Sequence, residues 1–250
     1  MAQQKGIIQI AGTLGGLNFY IRKGVPVVRK AGGGFSGKNI KNLPSMELVR
    51  KNSSEFGACS RVKKELNSAL HPFLKNFKDV TLHGRMMRML LQLKDLDVVS
   101  ERGKRRVAQG LKKDAGQLLF KQFAFTPEWK GMGVNLQNGH FDLSTYTYAL
   151  TDFVLDKSFL PKNATHLGIQ LGVLVFDFEK LHARLFLSET DYLAPNTLAT
   201  SLVLHPAQLP MQSGMCLVFV GIHSCQELNG TLHILKEQSY TGLEVAGVFI

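Results

Sequence analysis

The sequence predicts an α+β fold: an N-terminal β-hairpin arm, a central helical region and a C-terminal antiparallel β-sandwich. Three observations carry this. Leu17, Phe19 and Ile21 alternate with Asn18, Tyr20 and Arg22, which is strand periodicity. Apolar residues between positions 45 and 123 recur at spacings of three and four, which is helix periodicity. About seven or eight short apolar runs then follow, with Asn-Gly turn signals at Asn138-Gly139 and Asn229-Gly230. The segments are 1–42, 43–125 and 126–250. With 250 residues, 44% of them hydrophobic, the chain can bury a core.

The arm begins with Ile7, Ile8 and Ile10, broken by Gly12-Thr13-Leu14-Gly15-Gly16. Lys23-Gly24 reads as a turn, and Val25-Pro26-Val27-Val28 resumes the sheet. Pro26 has no N–H to donate, so it puts this strand at an edge or makes it a strand start. Residues 31–42, rich in Gly, Lys and Asn, read as a flexible connector.

In the helical region Ser45 is a plausible N-cap. Met46, Val49, Phe56, Cys59, Val62, Leu66, Leu70 and Phe73 form one apolar helix face, with Pro72 near its end. A second helix is predicted over Leu82–Leu96, with Met86, Met89, Leu90 and Leu93 inward as core filler. A third is predicted over Glu101–Phe120. In the last segment the predicted hairpin around Asn138-Gly139 pairs Val134 and Leu136 with Phe141 and Leu143. Further strands are predicted at 167–178, 181–187, 202–204, 216–222, 231–235 and 243–250.

Charge is unevenly placed. Residues 1–125 hold 24 Lys+Arg and 8 Asp+Glu, and residues 126–250 hold 6 and 11, so the halves carry +16 and −5. Such a split points either to an anionic partner for the first half or to head-to-tail docking of one copy on the next. Lys63, Lys64, Arg102, Lys104, Arg105, Arg106, Lys112 and Lys113 are the candidate nucleic-acid contacts. Residues 100–115 contain no aromatic side chain, so this mode would be backbone neutralisation without base stacking.

The motifs for chemistry are incomplete. Gly32 to Lys38 has the glycine spacing and lysine of a phosphate loop, but Asn39 stands where Ser or Thr would ligate Mg²⁺, and Pro44 comes before any predicted helix. The eight histidines show no metal-ligand spacing. His223 and His233 lie in predicted strands and could oppose each other across a hairpin, more as packing than as a metal site. Asp142, Asp177 and Glu179 have no inferable separation for paired-carboxylate work. Cys59, Cys216 and Cys225 form no disulfide framework and read as buried thiols in a reducing compartment. The expectation is a non-enzyme with no cofactor, no metal, no membrane partner and no evident small-molecule substrate. The first residues lack signal-peptide features and no apolar run reaches the roughly 18 residues of a membrane span. That predicts a cytoplasmic protein, with release in an assembly by another route left open.

At Lys5-Gly6-Ile7-Ile8, Gly12-Thr13, Gly15, Phe19-Tyr20, Arg29 and Gly32-Gly33 the chain resembles a family of uncharacterised proteins of about this length from Bacteroidetes-type bacteria. The resemblance continues through Arg50, Asn52, Glu55-Phe56-Gly57 and Arg102-Gly103, and ends at Gly221, Glu227 and Asn229-Gly230. Where such proteins tend to be aromatic before the last Asn-Gly, this chain has Ser224 and Cys225. The N-terminal hairpin also resembles that of small phage- or prophage-type structural proteins. The resemblance implies an assembly role and supplies no activity. The expected function is therefore a structural, self-associating protein forming a homo-oligomer or filament, with Ile7, Ile8, Ile10, Phe19, Tyr20, Val27 and Val28 as the self-association residues. The alternative is sequence-independent nucleic-acid binding through the basic residues named above.

Overall fold

The computed structural model describes residues 2–4, 10–32, 36–75, 77, 79–129, 139–151, 155, 157, 160–195, 201–211, 213–235 and 238–250. The fold is mixed α+β with antiparallel sheets. The chain divides into two compact units, Met1–Ser54 and Glu55–Ile250.

The first unit is a four-stranded sheet followed by short helices. Its strands are β1 (Ala2–Gln3), β2 (Gly12–Leu14), β3 (Leu17–Arg22) and β4 (Val25–Lys30), in the order β1-β4-β3-β2. Lys23 and Gly24 connect β3 to β4 with φ of 50° and 78°. Positive φ at both central residues is the tight hairpin turn whose twist matches that of the strands, and glycine accepts it without strain. Pro26 is the second residue of β4, so the strand-start reading holds. The edge reading does not, because β1 covers the far side of β4.

The expected connector is partly ordered. Helix α1 (Gly37–Asn42) is capped by Ser36, whose hydroxyl accepts from the Asn39 N–H at 3.2 Å. A helix therefore does precede Pro44, contrary to the sequence reading. Arg50 donates to the carbonyls of Ile40 (2.6 Å) and Leu43 (2.9 Å), satisfying acceptors that the end of so short a helix leaves open. Ser45 falls in a 3₁₀ turn, Pro44–Met46, rather than capping a helix.

Helix α2 (Glu47–Ala69) crosses the boundary between the units. In the second unit it is followed by α3 (His71–Leu74), α4 (Leu82–Asp95), α5 (Val107–Leu111) and α6 (Asp114–Lys121). The predicted third helix is thus corrected to a non-helical stretch and two short helices. The cause is close packing. A Cβ on Gly110 would overlap the Leu93 carbonyl, and one on Gly116 would overlap the Gly110 carbonyl. Glycine here lets the chain turn back against α4 at backbone contact.

The second unit also holds β5 (His140–Asp142), β6 (Thr147–Thr151), β7 (His166–Asp177), β8 (His182–Leu187), β9 (Asp191–Leu193), β10 (Ser201–Leu204), β11 (Met215–Leu228), β12 (Thr231–Ile234) and β13 (Thr241–Phe249). The long strands β7 and β11 pair from Met215↔Phe176 to Cys225↔His166. β8 and β9 flank β7, while β12 and β13 flank β11, making a six-stranded central sheet. Asn229 and Gly230, with φ of 52° and 77°, turn β11 into β12 as their sequence predicts. A three-stranded outer sheet has the order β10-β6-β5. β6 went unrecognised in the sequence, and residues 130–138 of the predicted Asn138-Gly139 hairpin lie outside the described residues. In the structure β5 pairs with β6.

The central sheet is covered on both faces. Leu174, Phe176, Leu217 and Phe219 pack under Leu66, Leu90, Leu93 and Phe120 of the helices. Ile169, Val173, Val218 and Val220 pack against Tyr148, Leu150, Leu202 and Leu204 of the outer sheet, the β-sandwich core. Double coverage explains why β7 and β11 read as nearly continuous apolar runs. Phe73 seats on the central sheet where Gly172 and Gly221 leave room for its ring.

Candidate functional site

The N-terminal sheet sorts its side chains by strand parity and register. Phe19 faces Val28, and Tyr20 faces Val27. One face thus carries Leu14, Leu17, Phe19, Ile21, Pro26, Val28 and, at its end, Lys30, and the other carries Asn18, Tyr20, Arg22, Val25, Val27 and Arg29. On the apolar face Leu14 is 66% exposed, Leu17 42% and Ile21 60%. Val27 is the one buried side chain among the described residues of this unit. Arg29 lies over the Tyr20 ring at 5.5 Å. Ile10 is exposed, and its backbone is held by the Gln4 amide through two 3.1 Å hydrogen bonds. Ile7 and Ile8 lie outside the described residues. The proposed self-association residues therefore divide between two faces. Leu14, Leu17 and Ile21, absent from that set, complete the apolar one. The parity of Leu17 and Ile21 with Phe19 was the signal for two of them.

The candidate nucleic-acid residues do not form one surface. Lys63 and Lys64 of α2 line a shallow depression with Asn67, Ser68 and His71, and Lys63 Nζ donates a hydrogen bond to His83 Nδ1 at 2.6 Å. Lys104 pairs with Glu101 at 3.2 Å in solvent. Arg102 belongs to the turn before it. Lys113 precedes α6. Arg106 and Lys112 meet Arg61 at a groove of about 750 Å³, whose lining includes Val62, Val107, Phe176, Phe178 and Met215.

Arg105 is a fold residue. Its guanidinium grips Glu55 through Nε (2.8 Å to Oε1) and Nη2 (2.7 Å to Oε2), and a third nitrogen meets Asp95 at 2.8 Å. Lys94 Nζ bonds Glu55 at 2.8 Å and Asp95 at 2.6 Å, and the Gly103 N–H adds a 2.6 Å bond to Glu55. Glu55 is 1% exposed. Arg105 above all, then Lys94 and the Gly103 N–H, hold its carboxyl far below the usual range against the opposing effect of burial. Asp97 accepts from the N–H groups of Val99 (3.0 Å), Ser100 (2.9 Å) and Arg106 (2.9 Å). Two carboxylates thus organise residues 97–106. On α2 the inward set is Glu55, Cys59, Val62 and Leu66, while Phe56, predicted inward, is exposed.

The remaining reactive groups are occupied or buried. Cys59, Cys216 and Cys225 are free and buried, and burial pushes their thiols up to about 11, 12 and 11. Such thiols are poor nucleophiles at neutral pH. Asp142 accepts from Ser144 and Thr145, and Asp177 from the N–H groups of Glu179 and Lys180, so each caps its own turn. His233 faces Gln226, whereas His223 faces Gly168 and Thr241. The two histidines do not oppose each other. His223 Nε2 is buried without a hydrogen-bond partner, and burial lowers its pKa. No group of three potential metal ligands occurs among the described residues. No described helix is long and apolar enough to cross a membrane.

A scan against protein-family models finds no match, and neither curated proteins nor solved structures provide one.

Proposed function

We propose that the protein is a structural, self-associating chain whose N-terminal sheet joins one copy to another through its apolar face. The observation that supports this is the exposure of Leu14, Leu17 and Ile21 around Phe19, in a unit with a single buried side chain among its described residues. A four-stranded sheet without a core is marginal alone, because stability requires apolar area removed from water. A second copy of the same face supplies that cover in an isologous contact. Donation of an edge strand is the weaker route, since the edge strands β1 and β2 have two and three residues.

Charge separates this joint from head-to-tail docking. Residues 1–54 hold 9 Lys+Arg and one Asp+Glu, so two such units repel. Within the strands, Arg22 and Arg29 stand on the face opposite the apolar one, while Lys30, paired with Leu17, stands at the end of the apolar face and adds to the repulsion between copies. Added salt screens the repulsion and strengthens a face-to-face contact, whereas it weakens docking of a basic half on an acidic half. Sulfate strengthens apolar contact further.

Sedimentation velocity of the full chain over a range of concentration and salt tests the reading. The expected result is association that rises with sodium chloride and more with sulfate, and that Leu17→Asp with Ile21→Asp abolishes. A monomer in every condition would reject it.

A further inference from the structure

We infer that the groove between α2, α5 and the ends of β7 and β11 binds a small organic anion with an apolar body, such as an alkyl phosphate or alkyl carboxylate. Its volume of about 750 Å³ is in the range of small-molecule sites. Val62, Val107, Phe176 and Met215 are buried core residues at its floor, and Phe178 is partly buried beside them. Arg61, Arg106 and Lys112 line the same groove and are exposed. Among the described residues none of the three has an ion pair, although the cations Arg105, Lys94 and Arg85 of the same unit are all paired with carboxylates.

Three like charges around one cavity repel each other. That repulsion is relieved by a shared anion, and a guanidinium can grip a phosphate or carboxylate through two parallel hydrogen bonds. The groove's own carboxylates do not fill this role. Asp177 is engaged with the backbone of its turn and with Lys180 at 3.3 Å, and Glu179 is an exposed residue of that turn. The apolar floor distinguishes the site from a simple phosphate patch. An inorganic ion would satisfy the cations and leave the apolar surface wet, while an alkyl chain would cover it. Arg106 and Lys112 stand on the rim through local geometry. Arg106 immediately precedes α5, with its N–H held by Asp97, and Lys112 directly follows α5.

The site is independent of the self-association surface, since all its residues belong to the second unit. Calorimetric titration of the full chain with octyl phosphate, inorganic phosphate and octanol tests it, with amide chemical shifts locating the response. The expected result is saturable binding of octyl phosphate that shifts the amides of residues 58–62, 106–112 and 176–181. Inorganic phosphate and octanol should each bind at least about ten-fold more weakly, because each supplies only half of the contact. Arg61→Gln with Arg106→Gln should weaken octyl phosphate about ten-fold or more, since charged hydrogen bonds of this kind are lost, and leave octanol unchanged. Both side chains are exposed, so the fold should persist, and thermal unfolding of the variant checks this. Inorganic phosphate binding as tightly as octyl phosphate, unchanged affinity in the folded double variant, or shifts confined elsewhere would each overturn the assignment.

Discussion

Ile21 in the N-terminal sheet is 60% exposed, whereas Ile169 in the central sheet of the second unit is completely buried. Both are β-branched residues on antiparallel strands. The difference lies in what covers them. The central sheet has helices on one face and a second sheet on the other, while one face of the N-terminal sheet stays open. At about 1.5–3 kcal/mol for each large apolar side chain buried, the second unit holds its own stabilisation and the first is left short of it. The comparison shows that the same strand chemistry makes a core in one unit and an uncovered face in the other.

The second unit can be broken from within without touching the first. Glu55→Gln leaves the Arg105 guanidinium and Lys94 ammonium without their shared buried carboxylate. Removing one partner of such a cluster should cost about 3–5 kcal/mol, read as a fall in the urea midpoint. The concentration dependence of sedimentation should not change at urea levels where the second unit stays folded. A smaller effect is expected at Gly221→Ala, where the added methyl meets the Phe73 ring. Overpacking there should cost about 1–3 kcal/mol, again with self-association unaltered. If either variant abolished association before unfolding, the two units would not be energetically separate.

Acid titration gives the smallest effect. Burial pushes the Asp79 carboxyl up, but the Thr81 hydroxyl and N–H and the Arg85 guanidinium outweigh it and hold the group down at about 2. A depressed carboxylate contributes stability that is complete above its unfolded value of 3.8 and is lost as pH falls from 3.8 toward 2. That contribution is about 2 kcal/mol at most. Asp79→Asn should lower the midpoint at pH 6 and flatten its fall across this window. An equally steep fall in the variant would assign the acid sensitivity to other carboxylates.

The elements most legible in the sequence were those whose environment is uniform along their length. β7, β11 and α4 are apolar because one or both sides are covered throughout, and the Asn229-Gly230 and Lys23-Gly24 turns follow from positive φ. The stretch 97–106 was illegible for a specific reason. Four cations in five residues imitate a solvated helix face, and only the fold brings Glu55, some 50 positions away, to Arg105. A trace of that pairing was present. Glu55 precedes Cys59, Val62 and Leu66 at helical spacing, so an acid occupies the inward stripe of α2, and Lys94 follows Leu90 by one helical turn on α4. Arg106 and Lys112 were visible as charges, but Arg61 and Phe178 join them only through tertiary contact. Ile21 was legible as a strand residue, whereas Leu14 read as part of a glycine break and proves to end strand β2, and nothing local marks either as uncovered.

Hydrogen exchange of the full chain at several protein concentrations tests the contrast between the units most directly. Amides of β7 and β11 should be strongly protected at every concentration, because their pairing lies inside one copy. On the proposed self-association, protection of β3 and β4 should rise with concentration and follow the sedimentation isotherm, because a second copy would then cover the apolar face they form. Full protection of β3 and β4 at a concentration where the protein sediments as a monomer would contradict the account.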